Sequence, residues 1–322
     1  MTRVLVTGAA GFIGSHLVEA LSHQGHEIVG IDNFDPFYPR AMKERNLAEA
    51  GPLPGFTFHE LDLLDVEGLR SHLTADTVLV HLAAKAGVRP SIADPVGYTR
   101  VNVTGTAAVA EAARATGVSR IVFGSSSSVY GDTTPVPFRE DAPAMDPLSP
   151  YAASKRASEL FLRAVAPLYG FRIASLRFFT VYGPRQRPDL AIHAFARKMV
   201  EGKTLTLFGD GTQSRDYTYC DDIVAGVVAA LRWTERAPVG VETFNLGGNR
   251  SVPTGAMVDE ISKALGITPK IEWAPMQPGE VQRTAADLTK SGAVLGYAAR
   301  TPFREGIRRF VAWFRETYGR SD

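Results

Sequence analysis

Short apolar runs alternate with longer, Ala-rich amphipathic segments through the first half of the chain. This is the pattern of parallel strands joined by crossover helices. The pattern predicts strands at Val4–Thr7, Glu27–Ile31, Thr57–Leu61, Thr77–His81, Arg120–Gly124 and Arg172–Leu176. It predicts helices between them at Phe12–His23, Val66–Leu73, Pro95–Thr116 and Pro150–Leu168. The last helix has a good start, because Ser149 suits an N-cap and Pro150 the first helical position. The first half is therefore predicted to form an α/β fold with a doubly wound parallel sheet.

The alternation breaks after Arg177, where several Gly and Pro residues predict turns. A helix at Asp221–Trp233 and a strand at Glu242–Leu246 predict a return to the sheet. Further helices are predicted at Thr254–Leu265, Leu288–Leu295 and Phe303–Tyr318, in a smaller α/β C-terminal lobe. We expect residues 1–180 and about 216–247 to form one domain, and 181–215 with 248–322 to form the lobe. Asn33–Pro54, rich in Pro, Arg and Glu, is predicted to be irregular.

The composition is that of an ordinary soluble globular protein, with 45% hydrophobic and 21% charged residues. A net charge of +1 argues against nucleic acid or an anionic membrane as a partner. The single cysteine, Cys220, excludes an internal disulfide and fits a reducing compartment. Its acidic neighbours Asp221 and Asp222 predict a raised thiol pKa and an inert side chain. Because the sequence has no secretory signal and no apolar run of about 20 residues, we expect a cytoplasmic protein. We also expect no metal site.

A glycine-rich turn joins the first predicted strand to the first predicted helix, with Gly8, Gly11 and Gly14 at its key positions. Glycine permits the tight turn and lets a pyrophosphate approach the backbone and the positive end of the helix. This context predicts a Rossmann-type dinucleotide site. Asp32, at the end of the second strand, favours NAD over NADP because its carboxylate would repel a 2′-phosphate. The alternative for Asp32 is a turn cap.

Other residues near the strand ends are further candidates for the cofactor site. Asp62 and Leu63 are placed to contact the adenine, and the segment Leu82-Ala83-Ala84-Lys85 to lie against the pyrophosphate. Small apolar residues at strand ends often serve packing alone, so packing is the alternative interpretation. The predicted set is completed by Phe12, Ile13 and Asn33.

Tyr151 and Lys155 lie four positions apart at the start of a helix and so share one face. A tyrosine with a pKa of about 10 becomes a base at neutral pH only if nearby positive charge lowers that pKa. Ser126 lies within a run of four serines at the end of the fifth strand, at the edge where such folds bind ligands. A chance Tyr-x-x-x-Lys spacing and a turn-forming serine run are the alternatives. The three residues together predict a site for proton transfer.

The chain as a whole resembles the extended short-chain dehydrogenase/reductase family of nucleotide-sugar epimerases and dehydratases. The resemblance rests on the glycine pattern, on Tyr151-x-x-x-Lys155, on His81-Leu82-Ala83-Ala84, and on Ser125-Ser126-Ser127-Ser128-Val129-Tyr130-Gly131. It continues through Arg215-Asp216-Tyr217 to Gly279-Glu280. It implies NAD as cofactor, Ser126 as the catalytic hydroxyl, Tyr151 as the base, and Lys155 as ribose ligand and pKa tuner. It also implies that Asn102 lies near the cofactor.

The residues beside Ser126 discriminate between reactions of this family. At the positions of Ser127 and Ser128 the dehydratases of the family have Asp and Glu. The UDP-glucuronate decarboxylases have Glu at the position of Ser128. Three further stretches are similar to UDP-glucuronate 4-epimerases: Asp32-Asn33-Phe34, the segment 85–91 and the segment 178–189. The resemblance implies 4-epimerisation of a UDP-uronic acid, with UDP-glucose/galactose epimerase and UDP-glucuronate decarboxylase as alternatives. A non-catalytic NAD-binding scaffold is a remote alternative.

The same resemblance implies a set of contacts to the UDP-sugar. Arg187, with Thr180, Ser127 and Ser128, would hold the uronate carboxylate, because Arg suits paired donation to a carboxylate. An exposed Arg187 without a ligand is the alternative, and Arg89 and Arg185 are weaker candidates for the same role. The nucleotide would be held by Arg215 at the pyrophosphate and by Phe208, Gln277 and Arg283. The helices Pro95–Thr116 and Pro150–Leu168 are expected to pair in a homodimer.

Overall fold

The computed structural model describes residues 2–49, 52–275 and 281–319. The strands are β1 (Arg3–Thr7), β2 (Glu27–Asp32), β3 (Phe56–Glu60), β4 (Val78–His81), β5 (Arg120–Ser126), β6 (Arg172–Phe178), β7 (Thr180–Tyr182), β8 (Leu205–Phe208), β9 (Ser214–Tyr219), β10 (Gly240–Leu246), β11 (Ser251–Pro253) and β12 (Ile271–Ala274). The helices are α1 (Phe12–His23), α2 (Arg40–Glu49), α3 (Val66–Ser71), α4 (Val88–Ala93), α5 (Pro95–Thr99), α6 (Gly105–Thr116), α7 (Pro150–Tyr169), α8 (Ala191–Val200), α9 (Cys220–Trp233), α10 (Thr254–Leu265), α11 (Thr289–Leu295) and α12 (Phe303–Tyr318).

The centre of the molecule is a parallel seven-stranded sheet in the order β10-β6-β5-β4-β1-β2-β3. The order reverses between β1 and β4, as in a doubly wound sheet. The six strands predicted in the first half are all present, and β10 pairs in parallel with β6 as the predicted return strand. The predicted Rossmann-type α/β fold is confirmed.

Apolar runs in the central strands explain why this sheet is buried on both faces. Val4 and Val6 belong to the core under α1 and α9, whereas Leu5 between them belongs to the core under α6 and α7. All three side chains are fully buried. Since side chains alternate along a strand, a continuous apolar run fits a sheet covered by helices on both sides.

One segment predicted to be irregular contains a helix. Within Asn33–Pro54 the chain forms α2, whose ion pairs Arg40–Glu44 and Arg45–Glu49 join residues one turn apart. The prediction was wrong because dense charge was taken as a sign of a loop, although Arg, Lys, Glu and Ala are good helix formers.

Of the two helices expected at a dimer interface, the first differs from the prediction. Pro95–Thr116 is divided into α5, a π-helical turn at Arg100–Thr104, and α6. Ala110, Ala112 and Ala113 pack in the core against the sheet. Helix α7 begins as predicted, with Ser149 Oγ accepting a hydrogen bond from Ala152 N.

The smaller lobe follows β6 and contains elements that the turn-rich sequence did not reveal. It has a three-stranded sheet in the order β11-β9-β7 and the parallel pair β12-β8. Helix α10 packs against both α8 and α12. Among the residues that the structure describes, no helix combines the length and apolarity needed to cross a bilayer.

Candidate active site

A cleft of about 1170 Å³ runs between the carboxyl ends of the central strands and the smaller lobe. Its walls include residues from the first glycine-rich turn, the ends of β2, β4, β5 and β6, the start of α7, and elements of the lobe. Pockets for one small ligand have volumes of roughly 300–1,000 Å³. The cleft therefore has room for a dinucleotide and a second ligand beside it.

The glycine-rich turn is shaped for close approach to the backbone. Gly8 has φ +75°, and a Cβ there would lie 2.9 Å from Ala83 N. A Cβ on Gly14 would lie 2.0 Å from Gly8 O, so α1 could not pack this closely with any other residue there. Helix α1 has no side-chain cap at Gly11, which leaves its first N–H groups for a ligand in the cleft. These features fit the pyrophosphate of a dinucleotide.

Asp32 lies buried at the end of β2 and lines the cleft. Its Oδ1 accepts a hydrogen bond from Phe34 N at 2.8 Å and an ion pair from Lys43 Nζ at 3.4 Å. Asp32 therefore caps a turn, as the alternative interpretation held, and also lines the cleft. Next to it, Asn33 Nδ2 donates to Asp62 Oδ2 at 2.8 Å.

The residues after β4 reach the cleft as predicted, with one indirect member. The segment Leu82–Lys85 and Leu63 line the cleft. Asn102 is buried beneath that segment, where it accepts from Lys85 N at 2.8 Å and donates to Lys85 O at 2.9 Å. It also donates to Ser154 Oγ at 2.8 Å. Asn102 thus fixes the cofactor-facing segment to α7 and does not itself line the cleft.

The predicted catalytic residues converge on one wall of the cleft. Ser126 Oγ lies 3.1 Å from Ser128 Oγ and is hydrogen-bonded to Tyr151. Burial raises the pKa of Tyr151, while the Ser126 hydrogen bond and the charge of Arg187 act in the opposite direction. Burial also lowers the pKa of Lys155 to about 8, and its Nζ donates to Gly124 O at 2.7 Å.

A buried ion pair that the sequence analysis missed supports this wall. Glu159, one helical turn beyond Lys155, accepts from Ser125 Oγ at 2.7 Å and from Arg177 Nε and Nη2 at 2.9 Å. Arg177 and Glu159 are both almost fully buried. The pair ties α7 to β5 and β6 directly behind Ser126.

The predicted nucleotide contacts divide into three groups. Thr180, Phe208 and Arg215 line the cleft with Ser127 and Ser128. Gln277 lies outside the described residues. Arg283 is exposed, its backbone forms a bridge with Ser214, and it lines a smaller cavity outside the cleft.

The three arginines considered for the carboxylate have different surroundings. Arg185 is buried away from the cleft in ion pairs with Glu19 at 2.8 Å and Glu49 at 3.4 Å. Arg89 lines the cleft, with its guanidinium 4.8 Å from the ring centre of Phe208. Arg187 also lines the cleft, and its side chain is only 16% exposed. Arg187 is therefore not an exposed surface side chain.

Several cleft residues were not predicted. They come mainly from α2 with its preceding loop, from α8, and from the loop before α8: Phe37, Tyr38, Lys43, Asp189, Lys198. Asp189 could have been predicted from the sequence, because an acidic residue two positions after the candidate ligand Arg187 can form an ion pair with it. The others carried none, since their approach to the cleft depends on how the chain folds back.

Cys220 lies outside the cleft lining and is buried, and burial beside Asp221 raises its pKa well above the usual value. The prediction of a raised thiol pKa is confirmed. With His16 and Asp221 it forms the one group of potential metal ligands among the described residues. His16 Nε2 is 2.9 Å from Pro184 O.

Comparison with known proteins agrees with this geometry. The model of the NAD dependent epimerase/dehydratase family matches residues 4–247, which is more than half of the chain. The chain belongs to this family. A UDP-glucuronate 4-epimerase of Thermodesulfobacterium geofontis is 37% identical over 98% of this chain and 97% of its own.

Solved structures of family members have the same fold over nearly the whole length. UDP-glucuronic acid 4-epimerase from Bacillus cereus, in complex with UDP-glucuronic acid and NAD, has a TM-score of 0.91 and 36% identity over 98% of this chain and 100% of its own. MoeE5 in complex with UDP-glucose and NAD has a TM-score of 0.86 and 36% identity over the same shares. A further MoeE5 structure contains UDP-glucuronic acid and NAD.

Proposed function

We propose that this epimerase/dehydratase family member converts UDP-glucuronate to UDP-galacturonate by NAD-dependent 4-epimerisation through a transient 4-keto intermediate. The observation that carries the proposal is that Ser126, Tyr151 and Arg187 face one cleft. The first two suit oxidation of a sugar hydroxyl, and the third suits a carboxylate on the same sugar. The similarity to UDP-glucuronate 4-epimerases over the whole chain supports this choice of substrate.

The cofactor half of the cleft fits NAD. The proposed contacts are the turn at Gly8, Gly11 and Gly14 for the pyrophosphate, and Asp32 for the adenine ribose, whose charge disfavours a 2′-phosphate. Bound NAD supplies a hydride acceptor that returns the hydride at the end of the cycle. The further proposed contacts are Phe12, Ile13, Asn33, Asp62, Leu63, the segment 82–85 and Lys155, with Asn102 acting through Lys85.

Proton transfer falls to the side chains on the wall of the cleft. Tyr151 takes the proton of the C4 hydroxyl, and Ser126 donates a hydrogen bond to the sugar oxygen as it becomes a carbonyl. Lys155, charged below pH about 8, lowers the energy of the tyrosinate. Inversion at C4 would result from return of the hydride to the other face of the sugar, and Tyr151 would give its proton back to the C4 oxygen.

Arg187 has a second task in this scheme. A 4-keto uronic acid is a β-keto acid, so the C5–C6 bond breaks readily when it aligns with the carbonyl π system. We propose that Arg187 and Thr180, with Ser127 and Ser128, hold the carboxylate away from that alignment. Phe208 and Arg215 would hold the uridine and the pyrophosphate from the lobe side.

Product analysis in D₂O tests the proposal. Incubation with UDP-glucuronate should yield UDP-galacturonate by NMR, with no deuterium at C4, because the hydride leaves and returns within one site. Formation of a UDP-pentose with carbon dioxide would instead indicate decarboxylation. Conversion of UDP-glucose but not of UDP-glucuronate would indicate an epimerase for neutral sugars.

We propose in addition a cytoplasmic homodimer paired through α5 and α7. The support is apolar exposure on these helices, with Val96 77%, Leu160 51% and Leu168 76% exposed. The buried alanines of α6 cannot serve such an interface, so the contact would involve these larger side chains. Light scattering at micromolar concentration should give twice the mass of the 34.8 kDa chain, and a monomer would contradict the proposal.

A further inference from the structure

The guanidinium of Arg187 is held by the protein along one edge. Its Nε donates to Asp189 Oδ1 at 3.0 Å and its Nη2 to Asp189 Oδ2 at 2.7 Å. Nη2 also donates to Ala86 O at 3.2 Å. The ring of Phe37 lies 5.2 Å from the guanidinium carbon. The carboxylate and the ring together fix both the position and the plane of the group.

A guanidinium presents two edges to a planar acceptor, one formed by Nε and Nη2 and the other by the two Nη atoms. Asp189 fills the first edge with a two-point contact. Nη2 donates its second hydrogen to Ala86 O, so the two hydrogens of Nη1 remain for an acceptor in the cleft. Tyr98 Oη supports the arrangement from below by donating to Ala86 O at 3.1 Å.

We propose that Asp189 is a specificity-determining positioning residue, which holds Arg187 so that its Nη1 group meets the carboxylate of a uronic acid. This inference rests on the proposed function. Asp189 acts through Arg187 and does not itself touch the sugar. With Arg187 fixed in advance, less side-chain freedom is lost when the substrate binds.

The opposite arrangement makes the opposite prediction. If Asp189 instead occupied the place of the substrate carboxylate, the two anions would compete, and removal of Asp189 would strengthen uronate binding. The edge of the Arg187 guanidinium that Asp189 contacts decides between the two arrangements. Asp189 uses the Nε edge, so a uronate at the Nη1 edge does not have to displace it.

The chain contains a matched control outside the cleft. Arg139 Nε donates to Asp141 Oδ1 at 3.2 Å and Nη2 to Asp141 Oδ2 at 3.1 Å, with the same spacing of two residues. Asp141 is 71% exposed in its side chain, against 33% for Asp189. Asp141→Ala therefore removes the same type of pair without touching the cleft.

The experiment measures sugar preference in NAD-loaded full-length protein. For Asp189→Ala we expect the ratio of kcat/KM for UDP-glucuronate to that for UDP-glucose to fall about tenfold, which corresponds to one charge-assisted hydrogen bond. Asp189→Asn, which keeps one acceptor oxygen, should lose less, and Asp141→Ala should keep the wild-type ratio. Equal losses on both sugars would show a merely structural role and overturn the inference, as would an unchanged or increased ratio.

A binding measurement separates this inference from the proposed function. Dissociation constants of the two UDP-sugars are measured in a Tyr151→Phe background, with and without Asp189→Ala. A selective loss of UDP-glucuronate binding supports the role of Asp189 even if the wild type proves not to epimerise that sugar. Selective binding that survives the substitution overturns the inference while leaving an active epimerase in place.

Discussion

The two halves of the cleft are built by different means. The cofactor half depends on backbone: glycines without a Cβ, the uncapped start of α1, and a carboxylate that caps the turn after β2. The sugar-nucleotide half depends on side chains from separate segments, with Thr180, Arg187, Phe208 and Arg215 brought together only by the fold. The residues of a site built from backbone lie in one contiguous motif, whereas the residues of a site built from side chains are scattered along the sequence. The cofactor half should therefore tolerate few substitutions, and the sugar half should be adjustable one contact at a time.

The largest expected effect lies where the two halves meet. Tyr151→Phe should lower turnover by on the order of 10²–10⁴ because it deletes the proton-transfer group. Ser126→Ala should lower turnover less, because Tyr151 remains to transfer the proton. Discontinuous assays with UDP-glucuronate measure the turnover of each variant, and calorimetry should show a nearly unchanged affinity for UDP-glucuronate. Near-normal turnover would show that the base lies elsewhere.

Arg187→Ala tests the sugar half alone. Hydrogen bonds to charged groups contribute about 1.5–3 kcal/mol, so the preference for UDP-glucuronate over UDP-glucose should fall roughly 10- to 100-fold. The 4-keto intermediate should also lose its freed carboxylate as carbon dioxide. The electron pair of the C5–C6 bond then moves into an enolate of the 4-keto sugar, which takes up a proton at C5. Competition assays and mass spectrometry for a UDP-4-keto-pentose measure both effects. An unchanged preference without pentose would direct attention to Arg89.

Gly8→Ala tests the cofactor half alone. The new Cβ would lie 2.9 Å from Ala83 N at a φ of +75°, where L residues are strained. We expect the affinity for NAD to fall at least about tenfold, since a loss near 1.4 kcal/mol corresponds to that factor. The NAD content of the purified variant is the measurement, with Gly202→Ala, at a similar φ but far from other atoms, as the control. Equal NAD retention in both variants would contradict the view that the backbone builds this half.

The smallest effect near neutral pH comes from the titration of Lys155. Burial lowers the pKa of Lys155 to about 8, so its charge is present below that pH and lost above it. Turnover should therefore decrease above pH 8, approaching tenfold per pH unit. The kcat profile between pH 6 and 10 measures this, and Lys155→Arg, whose guanidinium stays charged, should lose the basic limb. A wild-type profile that stays flat to pH 10 would contradict the role of the Lys155 charge.

The same difference between the halves explains what the sequence could reveal. Strand periodicity and the glycine spacing were enough to predict the sheet, the return strand and the cofactor turn, because both signals are local. Helix α8 and strand β8 were missed, since Gly and Pro turns masked short elements whose stability comes from packing in the lobe. Arg187 was predicted by family resemblance, and the position of Asp189 two residues later could have indicated their ion pair, but the contact with Phe37 depends on a distant segment. Arg283 was also predicted by resemblance, and it lines a smaller cavity outside the cleft.

The loop that carries Arg187 has consequences for exchange between family members. Pro184 O is held by His16, and Arg185 by Glu19 and Glu49, so this loop is fastened to α1 and α2 of the dinucleotide-binding half. Ala86, which holds Arg187 itself, belongs to the same half. A chimera that keeps residues 184–190 with α1, α2 and Ala86, and takes the rest of the C-terminal lobe from a neutral-sugar epimerase, should therefore change its nucleotide contacts and keep its preference for a uronic acid. On this arrangement, the sugar preference and the nucleotide contacts should be exchangeable independently of each other.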